Sequence, residues 1–362
     1  MDLTHFLKTM REENGSDMYL TTGAPINIKA EGVLRSLSST GLPPGIVEKI
    51  AYSLMDERQI KEFENTMECN LAVSIKGVGR YRVNVFRQRG EVSMVIRTIK
   101  STIPKLDELN MPAHLYDLIM EKRGLILVVG ATGSGKSTTM ASMIDYRNSN
   151  ITGHILTVED PIEYVHKHKK SVVNQREIGI DTLGYAPALK NALREAPDLI
   201  LIGEINDAET MEAAVSFAET GHLCMATLHA NNSDQAMERV LNFFPSDMHS
   251  NVLMNLALNL RAVISQRLVI DVNGKRRPAC EVLMNTPQIR EMIRRGEINE
   301  LKMAMEKSLE DGMQTFDQAL YDMYKNGIIT LEEALSNADS AQGLEVKINL
   351  SSEDEGGGDD YF

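Results

Sequence analysis

Residues 130–137 read Gly-Ala-Thr-Gly-Ser-Gly-Lys-Ser and follow an apolar run, Leu125–Val129. The order is a strand, a glycine-rich loop, then Lys-Ser at the start of a helix. It restricts the chain to folds in which a strand feeds a helix through a phosphate-sized turn. In such a loop the backbone N–H groups point inward and wrap a β-phosphate, and the helix N-terminus adds positive field. In this pattern Lys136 reaches the β- and γ-phosphates and Ser137 holds Mg²⁺. Gly130, Gly133 and Gly135 admit a close backbone approach that a Cβ would block. Ala131, Thr132, Ser134 and Thr138 make up the rest of the candidate nucleotide site. A glycine-serine linker has neither a Val-rich run on one side nor Lys-Ser-Thr-Thr-Met on the other.

The 362 residues suggest two or more domains and room for a real core. A net charge of −13 argues against nucleic acid as partner, because a phosphate backbone is repelled unless one face is locally basic. The dense basic runs, Lys167-His168-Lys169-Lys170 and Lys275-Arg276-Arg277, read as solvated turns. Cys69, Cys224 and Cys280 are widely separated and lack metal-ligand spacing, which suits free thiols in a reducing compartment. The opening Met-Asp-Leu-Thr-His-Phe lacks the basic start and apolar stretch of a signal peptide. No apolar run approaches a membrane span, so a cytosolic location is expected.

Residues 1–100 read as a separate small α/β unit. Asp2 to Glu13 has helical spacing, Asp17 to Leu20 and Ile26 to Ala30 read as strands, and Pro43 to Phe63 reads as one helix with Pro near its start. Cys69–Lys76, Arg80–Gln88 and Glu91–Lys100 alternate apolar and polar residues between glycines, as in an antiparallel meander. Residues 101–118 are read as a linker. The core is placed at 119–280, with strands at Leu125–Val129, His154–Val158, Ser171–Asn174, Leu199–Ile202 and Leu223–Leu228 alternating with helices. That is the pattern of a mainly parallel sheet covered on both faces. Residues 281–345 read as helical, with Met284, Met292, Met303, Met305, Met313 and Met323 as core filler or an adaptable docking surface. Residues 346–362 are read as an acidic tail, glycine-rich from Ser351 onward, without fixed structure.

In open parallel sheets a ligand sits beyond the carboxyl ends of the strands. Here those ends run into Glu159-Asp160-Pro161-Ile162-Glu163, Gly203-Glu204 and His229-Ala230-Asn231-Asn232, so acids and an imidazole should gather on the rim that carries the phosphate loop. Phosphoryl transfer needs a group to orient water, one to hold Mg²⁺ and one to detect the γ-phosphate. Glu163, with Glu159 as the alternative, is the candidate for the water. Glu204 is the candidate for a Mg²⁺-bound water, since Gly203 stands where the usual Asp would be. His229 is the candidate for the γ-phosphate. His222 and His229 bracket one strand and lie roughly 23 Å apart if it is straight, so His222 is assigned a structural or inter-subunit role. One Lys and one Mg²⁺ leave transition-state charge poorly covered, and arginines from a neighbour often complete such sites. Arg80 and Arg82 share one face of their strand. With Arg87, Arg89 and Arg97 they form the N-terminal supply of guanidinium groups; Arg194 is a further candidate site residue with no role assigned.

These residues resemble the PilT/PilU class of type IV pilus retraction ATPases, within the secretion ATPase superfamily. Gly15–Leu20 is similar to the start of that family's PAS-like N-terminal domain. Gly130–Ser137 is similar to its Walker A segment, Thr157–Glu163 to its aspartate box, Leu201–Glu204 to its atypical Walker B, and Thr220–His222 through Leu228–Asn231 to its histidine box. The resemblance implies an α/β fold with a RecA-like P-loop core, an N-terminal PAS-like α/β domain and a helical C-terminal region. It implies ATP and Mg²⁺ as cofactors and a homohexamer. It also implies a paralogous retraction ATPase and an inner-membrane platform protein as partners, and a cytoplasmic position peripheral to the inner-membrane pilus machine. By motif, Arg82 and Arg97 match the arginines that the family's N-terminal domain presents to nucleotide.

Two departures stand out. The family follows Gly-Glu, one residue later, with Arg-Asp, whereas this chain has Ile205-Asn206-Asp207; an amide cannot pair ionically as a guanidinium does. Thr286–Ile293 and Asn337-Ala338-Asp339-Ser340 are more similar to the accessory paralogue of the class than to the principal motor. Two readings follow: a ring motor that couples hydrolysis to inter-domain motion, or a nucleotide-bound accessory with little hydrolysis of its own. A small-molecule kinase would leave the arginine-bearing N-terminal domain unexplained, and a nucleic-acid translocase is disfavoured by the charge.

Overall fold

A computed structural model describes residues 3–30, 32–308 and 312–356. Two compact units emerge: one comprises 1–102, 162–165 and 177–183, the other 103–161, 166–176 and the chain from Gly184 onward. The first unit is thus not the continuous 1–100 segment expected, because two short returns of the chain join it.

The first unit is a six-stranded antiparallel sheet. Its strands are β1 (Gly15–Thr21), β2 (Asn27–Ala30), β3 (Val33–Ser36), β4 (Glu68–Ile75), β5 (Gly79–Gln88) and β6 (Glu91–Ile99), in the order β3-β2-β1-β6-β5-β4. Alternation sets its faces. In β5, Tyr81, Val83 and Val85 are buried while Arg80, Arg82 and Asn84 take the other face. The Tyr81 hydroxyl donates to the Leu7 carbonyl at 3.0 Å, tying the helix Leu3–Glu12 to the sheet. Asp2, expected to open that helix, lies outside the described residues. Strand β3 was not anticipated: all four residues are exposed, so no buried alternation marks it. The single helix expected over Pro43–Phe63 is two, Ile46–Leu54 and Glu57–Thr66. Asp56 divides them as an N-cap: its carboxylate accepts from Gln59 N at 2.8 Å, and the Gln59 side chain accepts from Asp56 N at 3.0 Å.

The second unit carries a seven-stranded sheet. Its strands are β7 (Gly124–Val129), β8 (Gly153–Glu159), β9 (Ser171–Glu177), β10 (Leu199–Ile202), β11 (Leu223–Leu228), β12 (Leu260–Ile270) and β13 (Arg276–Met284), in the order β13-β12-β7-β11-β10-β8-β9. The β8–β10, β10–β11, β11–β7 and β7–β12 pairs are parallel, and β13 closes the edge antiparallel to β12. Every residue of β7, β10 and β11 is buried, as strands covered on both faces require.

The helical region starts at Pro287, not at 281, because β13 continues to Met284. Glu281 sits buried in mid-strand and is satisfied through one oxygen by Ser233 N and Ser233 Oγ, both at 2.7 Å, and Ser265 Oγ at 3.1 Å. Met292, Met305 and Met313 are core filler, whereas Met303 is exposed. Arg267 of β12 holds the C-terminal helices: it lies 3.9 Å from the Phe316 ring centroid and donates to the Asn337 carbonyl at 2.6 Å.

The tail expected to lack structure from 346 is helical over Ala341–Gly356. Leu344 and Ile348, one turn apart, bury against Val269, Leu320 and Ile329, and that apolar pair outweighs the acidic composition beyond it. Residues 357–362 of the expected tail lie outside the described residues. Among the described residues no helix is long and apolar enough to cross a membrane.

Candidate nucleotide site

The phosphate loop is built as its sequence requires. Strand β7 runs into Gly130, and the helix Lys136–Asn150 starts behind a left-handed Gly135 at φ 92°. Two loop glycines are demanded by a neighbour as well as by a phosphate. A Cβ on Gly130 would lie 2.5 Å from the Gln266 carbonyl oxygen, and one on Gly135 2.7 Å from Gln266 Nε2. Gln266, buried in β12, clamps the loop: its Nε2 donates to the Ser134 carbonyl at 2.8 Å, and its Oε1 accepts from Thr139 Oγ1 at 2.8 Å. The Ser134 hydroxyl is buried inside the loop with no hydrogen-bond partner among the described residues. Lys136 Nζ donates to the carbonyls of Gly130 at 2.7 Å and Ala131 at 3.0 Å. Burial draws its pKa below the ordinary lysine value, and the negative charge of Glu204 opposes that shift.

Open clefts flank the loop. One, of about 330 Å³, is lined by Ala131, Thr132, Gly133, Ser134, Gln266 and Arg267 among others. The other, of about 290 Å³, runs from Gly130 and Ala131 past His229 and Asn231. An inward-turned glycine loop, an unspent buried hydroxyl and a 15-residue helix behind them fit a phosphate group.

The acid after β10 meets the imidazole after β11. Glu204 Oε1 lies 3.1 Å from His229 Nε2. Thr227 Oγ1 donates to the Gly203 carbonyl, and Ile205 N to the Thr227 carbonyl at 2.9 Å, so β11 fixes the turn that presents Glu204. Glu159 Oε1 accepts from Thr157 Oγ1 at 2.6 Å and Gln175 Nε2 at 3.2 Å. A Cβ on Gly203 would come within 3.0 Å of Glu159 Cα, which explains why no larger residue fits there. Lys136, Glu159, Glu204 and His229 thus belong to one unit and stand at the carboxyl ends of neighbouring strands.

The remaining candidates make contacts within their own units. Glu163 is exposed and belongs to the first unit, where its carbonyl accepts from Lys100 N at 3.3 Å. Arg82 and Arg97 face each other across β5 and β6, and Arg97 pairs in turn with Asp17 of β1. Arg97 Nε donates to Asp17 Oδ1 at 2.7 Å, and Arg82 Nε stands 3.9 Å from the buried Glu177 carboxylate. Arg80 Nε is buried with no hydrogen-bond partner among the described residues. His222 lies at the opposite end of β11 from His229, with Nδ1 3.0 Å from Thr220 Oγ1. Arg194, in the turn Leu193–Glu195, and Asn206, in the loop after Glu204, are both exposed. Gln266 and Tyr185, which are close to the site, were not anticipated. A polar stretch, Ser265-Gln266-Arg267, between the apolar Ala262–Ile264 and Leu268–Ile270 was a signal for Gln266; nothing local marks Tyr185.

A family model described as type II/IV secretion system protein matches residues 2–297. The chain belongs to this family. Within it, the chain is 51% identical over 354 residues to the type IV pilus ATPase PilU of Pseudomonas aeruginosa, covering 98% of this chain and 93% of that protein. It is 40% identical over 338 residues to the type IV pilus retraction ATPase PilT of the same organism, covering 93% and 98%. A crystal structure of the pilus retraction motor PilT with bound ADP superposes with a TM-score of 0.89 at 42% identity, covering 95% of this chain and 99% of that one. The greater likeness to PilU than to PilT agrees with the C-terminal features read from the sequence, and the RecA-like core with its N-terminal and helical additions is the family's architecture.

Proposed function

We propose that this protein is a cytosolic, hexameric ATPase that powers or assists retraction of a type IV pilus. The observation that carries the reading is the convergence of Lys136, Glu204 and His229 beside the phosphate loop, in a chain of the secretion ATPase family. Lys136 pairs with the β- and γ-phosphates, and the loop amides from Gly130 to Thr138 hold the rest of the polyphosphate. Ser137 and, through water, Glu204 would hold Mg²⁺, which would supply positive charge against the charge that develops on the transferred phosphoryl group. Glu163 orients the attacking water; Glu159, whose carboxylate already serves Thr157 and Gln175, is the alternative. His229 reads the terminal phosphate, and on that reading its contact with Glu204 carries the signal to the acid. Arg82 and Arg97 cover the remaining charge on a neighbouring subunit's nucleotide. The phosphate state changes the angle between the two units about residues 100–115. The ring works on an inner-membrane platform protein beside a paralogous ATPase, and His222 and Arg194 belong to structural or inter-subunit contacts.

Titration with Mg·ATP, followed calorimetrically with phosphate release measured in parallel, tests the site. Heat and release are expected, and a flat titration removes the reading. A second reading, an accessory that hydrolyses little, is favoured by Asn206 and by the greater identity to PilU. Retraction in cells carrying this ATPase alone separates the two. Asn206 also makes a prediction of its own. Asn206→Arg restores a guanidinium beside the Glu204 turn and is expected to raise turnover or hexamer stability several-fold. Unchanged phosphate release and unchanged sedimentation would show that the amide limits neither.

A further inference from the structure

The polar group that stands at the missing side chain of Gly203 is a phenol. A Cβ added to Gly203 would meet the Tyr185 hydroxyl at 2.8 Å. Tyr185 opens the helix Tyr185–Ala192, and its hydroxyl oxygen is buried with no hydrogen-bond partner among the described residues. A buried O–H with no acceptor is costly, and such groups in native proteins call for an explanation in function. The hydroxyl stands against Gly203, one residue before Glu204. Burial raises the Tyr185 pKa well above the ordinary tyrosine value, and the charges of Asp160, Glu204 and Glu159 add to that, with the Glu204 backbone N–H opposing. Glu204 holds His229 through one oxygen at 3.1 Å, and a carboxylate has lone pairs for a second donor without releasing the first.

We propose that Tyr185 is a positioning residue of the nucleotide site: its O–H, in the space that Gly203 leaves open, donates to the Glu204 carboxylate and aims it at the hydration shell of the metal. This rests on the assignment of the Lys136 loop to Mg·ATP and of Glu204 to the metal's water. It also accounts for Gly203: an aspartate there would need the volume that the phenol occupies.

The test compares the full-length protein with Tyr185→Phe, which keeps the ring and removes only the O–H. The affinity for a fluorescent ADP analogue is measured with saturating Mg²⁺ and with EDTA, beside unfolding temperature and steady-state ATPase kinetics. Tyr185→Phe is expected to unfold near the parent temperature, since the ring and its packing are kept. Its affinity in EDTA should match the parent, while the gain in affinity on adding Mg²⁺ falls about 10-fold, the usual effect of losing an outer-shell partner. kcat should fall by about as much, with KM for ATP changed less than about 2-fold. A parent-like gain with Mg²⁺ overturns the proposal. So does an equal loss in Mg²⁺ and EDTA with a lowered unfolding temperature, which marks a packing role. A parent protein whose nucleotide binding ignores Mg²⁺ would overturn the underlying site assignment instead.

Discussion

Lys136→Ala is expected to cut ATP turnover at least about 100-fold, the equivalent of about 2.7 kcal/mol of transition-state stabilisation, while the unfolding temperature barely moves. The two effects separate because of where the amine is held. Lys136 Nζ is spent on the Gly130 and Ala131 carbonyls, and water can replace it at the open side of the loop, where Ala131 is exposed. A stability change within about 1 kcal/mol follows. The rate has no such substitute. A half-buried ammonium acts on a γ-phosphate through a medium less screening than water, and it contributes more as charge develops on the transferred group. Lys136→Arg should rescue poorly, since the planar guanidinium is wider than the point-like ammonium that the loop encloses. Phosphate release by the purified variants is the measurement. A Lys136→Ala protein that turns over at more than about a tenth of the parent rate would remove this lysine from the chemistry.

How much of this was legible in the chain depends on the range of the interaction that fixes each part. Strands β7, β10 and β11 were plain because burial on both faces demands unbroken runs such as Leu125–Val129 and Leu199–Ile202. The rim acids and His229 followed from those strands, since a parallel sheet puts every strand end on one edge. Strands β12 and β13 were obscured by Gln266 and Glu281, polar residues tolerated in mid-strand only because Ser134, Thr139, Ser233 and Ser265 complete their hydrogen bonds. Those partners lie up to 132 residues away, beyond the reach of any local pattern. Tyr185 is hidden for the same reason: its meaning lies in its approach to Gly203, which only the folded chain creates. The break at Asp56, by contrast, was written locally as Asp-x-x-Gln, and the apolar signal on either side masked it.

Gln266→Leu is expected to lower stability by about 2–4 kcal/mol and to weaken nucleotide binding together with it. Leucine nearly matches the volume, so a cavity is not the cause. The loss comes from two buried groups stripped of their oxygen or amide partner, the Ser134 carbonyl and the Thr139 hydroxyl, the second keeping only a weak 4.0 Å approach to Met111 Sδ, at a cost of roughly 1–3 kcal/mol each. The first of these lies inside the phosphate loop, so the loop amides lose the anchor that keeps them turned inward, and the cradle disperses before the fold does. Gln266→Glu separates anchor from packing. At neutral pH the introduced carboxylate still accepts from Thr139 but repels the Ser134 carbonyl, so binding should be as weak as in the leucine variant. Burial raises the pKa of such a carboxyl, and its protonated form regains a donor. Affinity for a fluorescent ADP analogue should therefore recover as the pH falls toward about 5, in Gln266→Glu alone. A pH-independent defect common to both variants would assign Gln266 to the core and not to the loop.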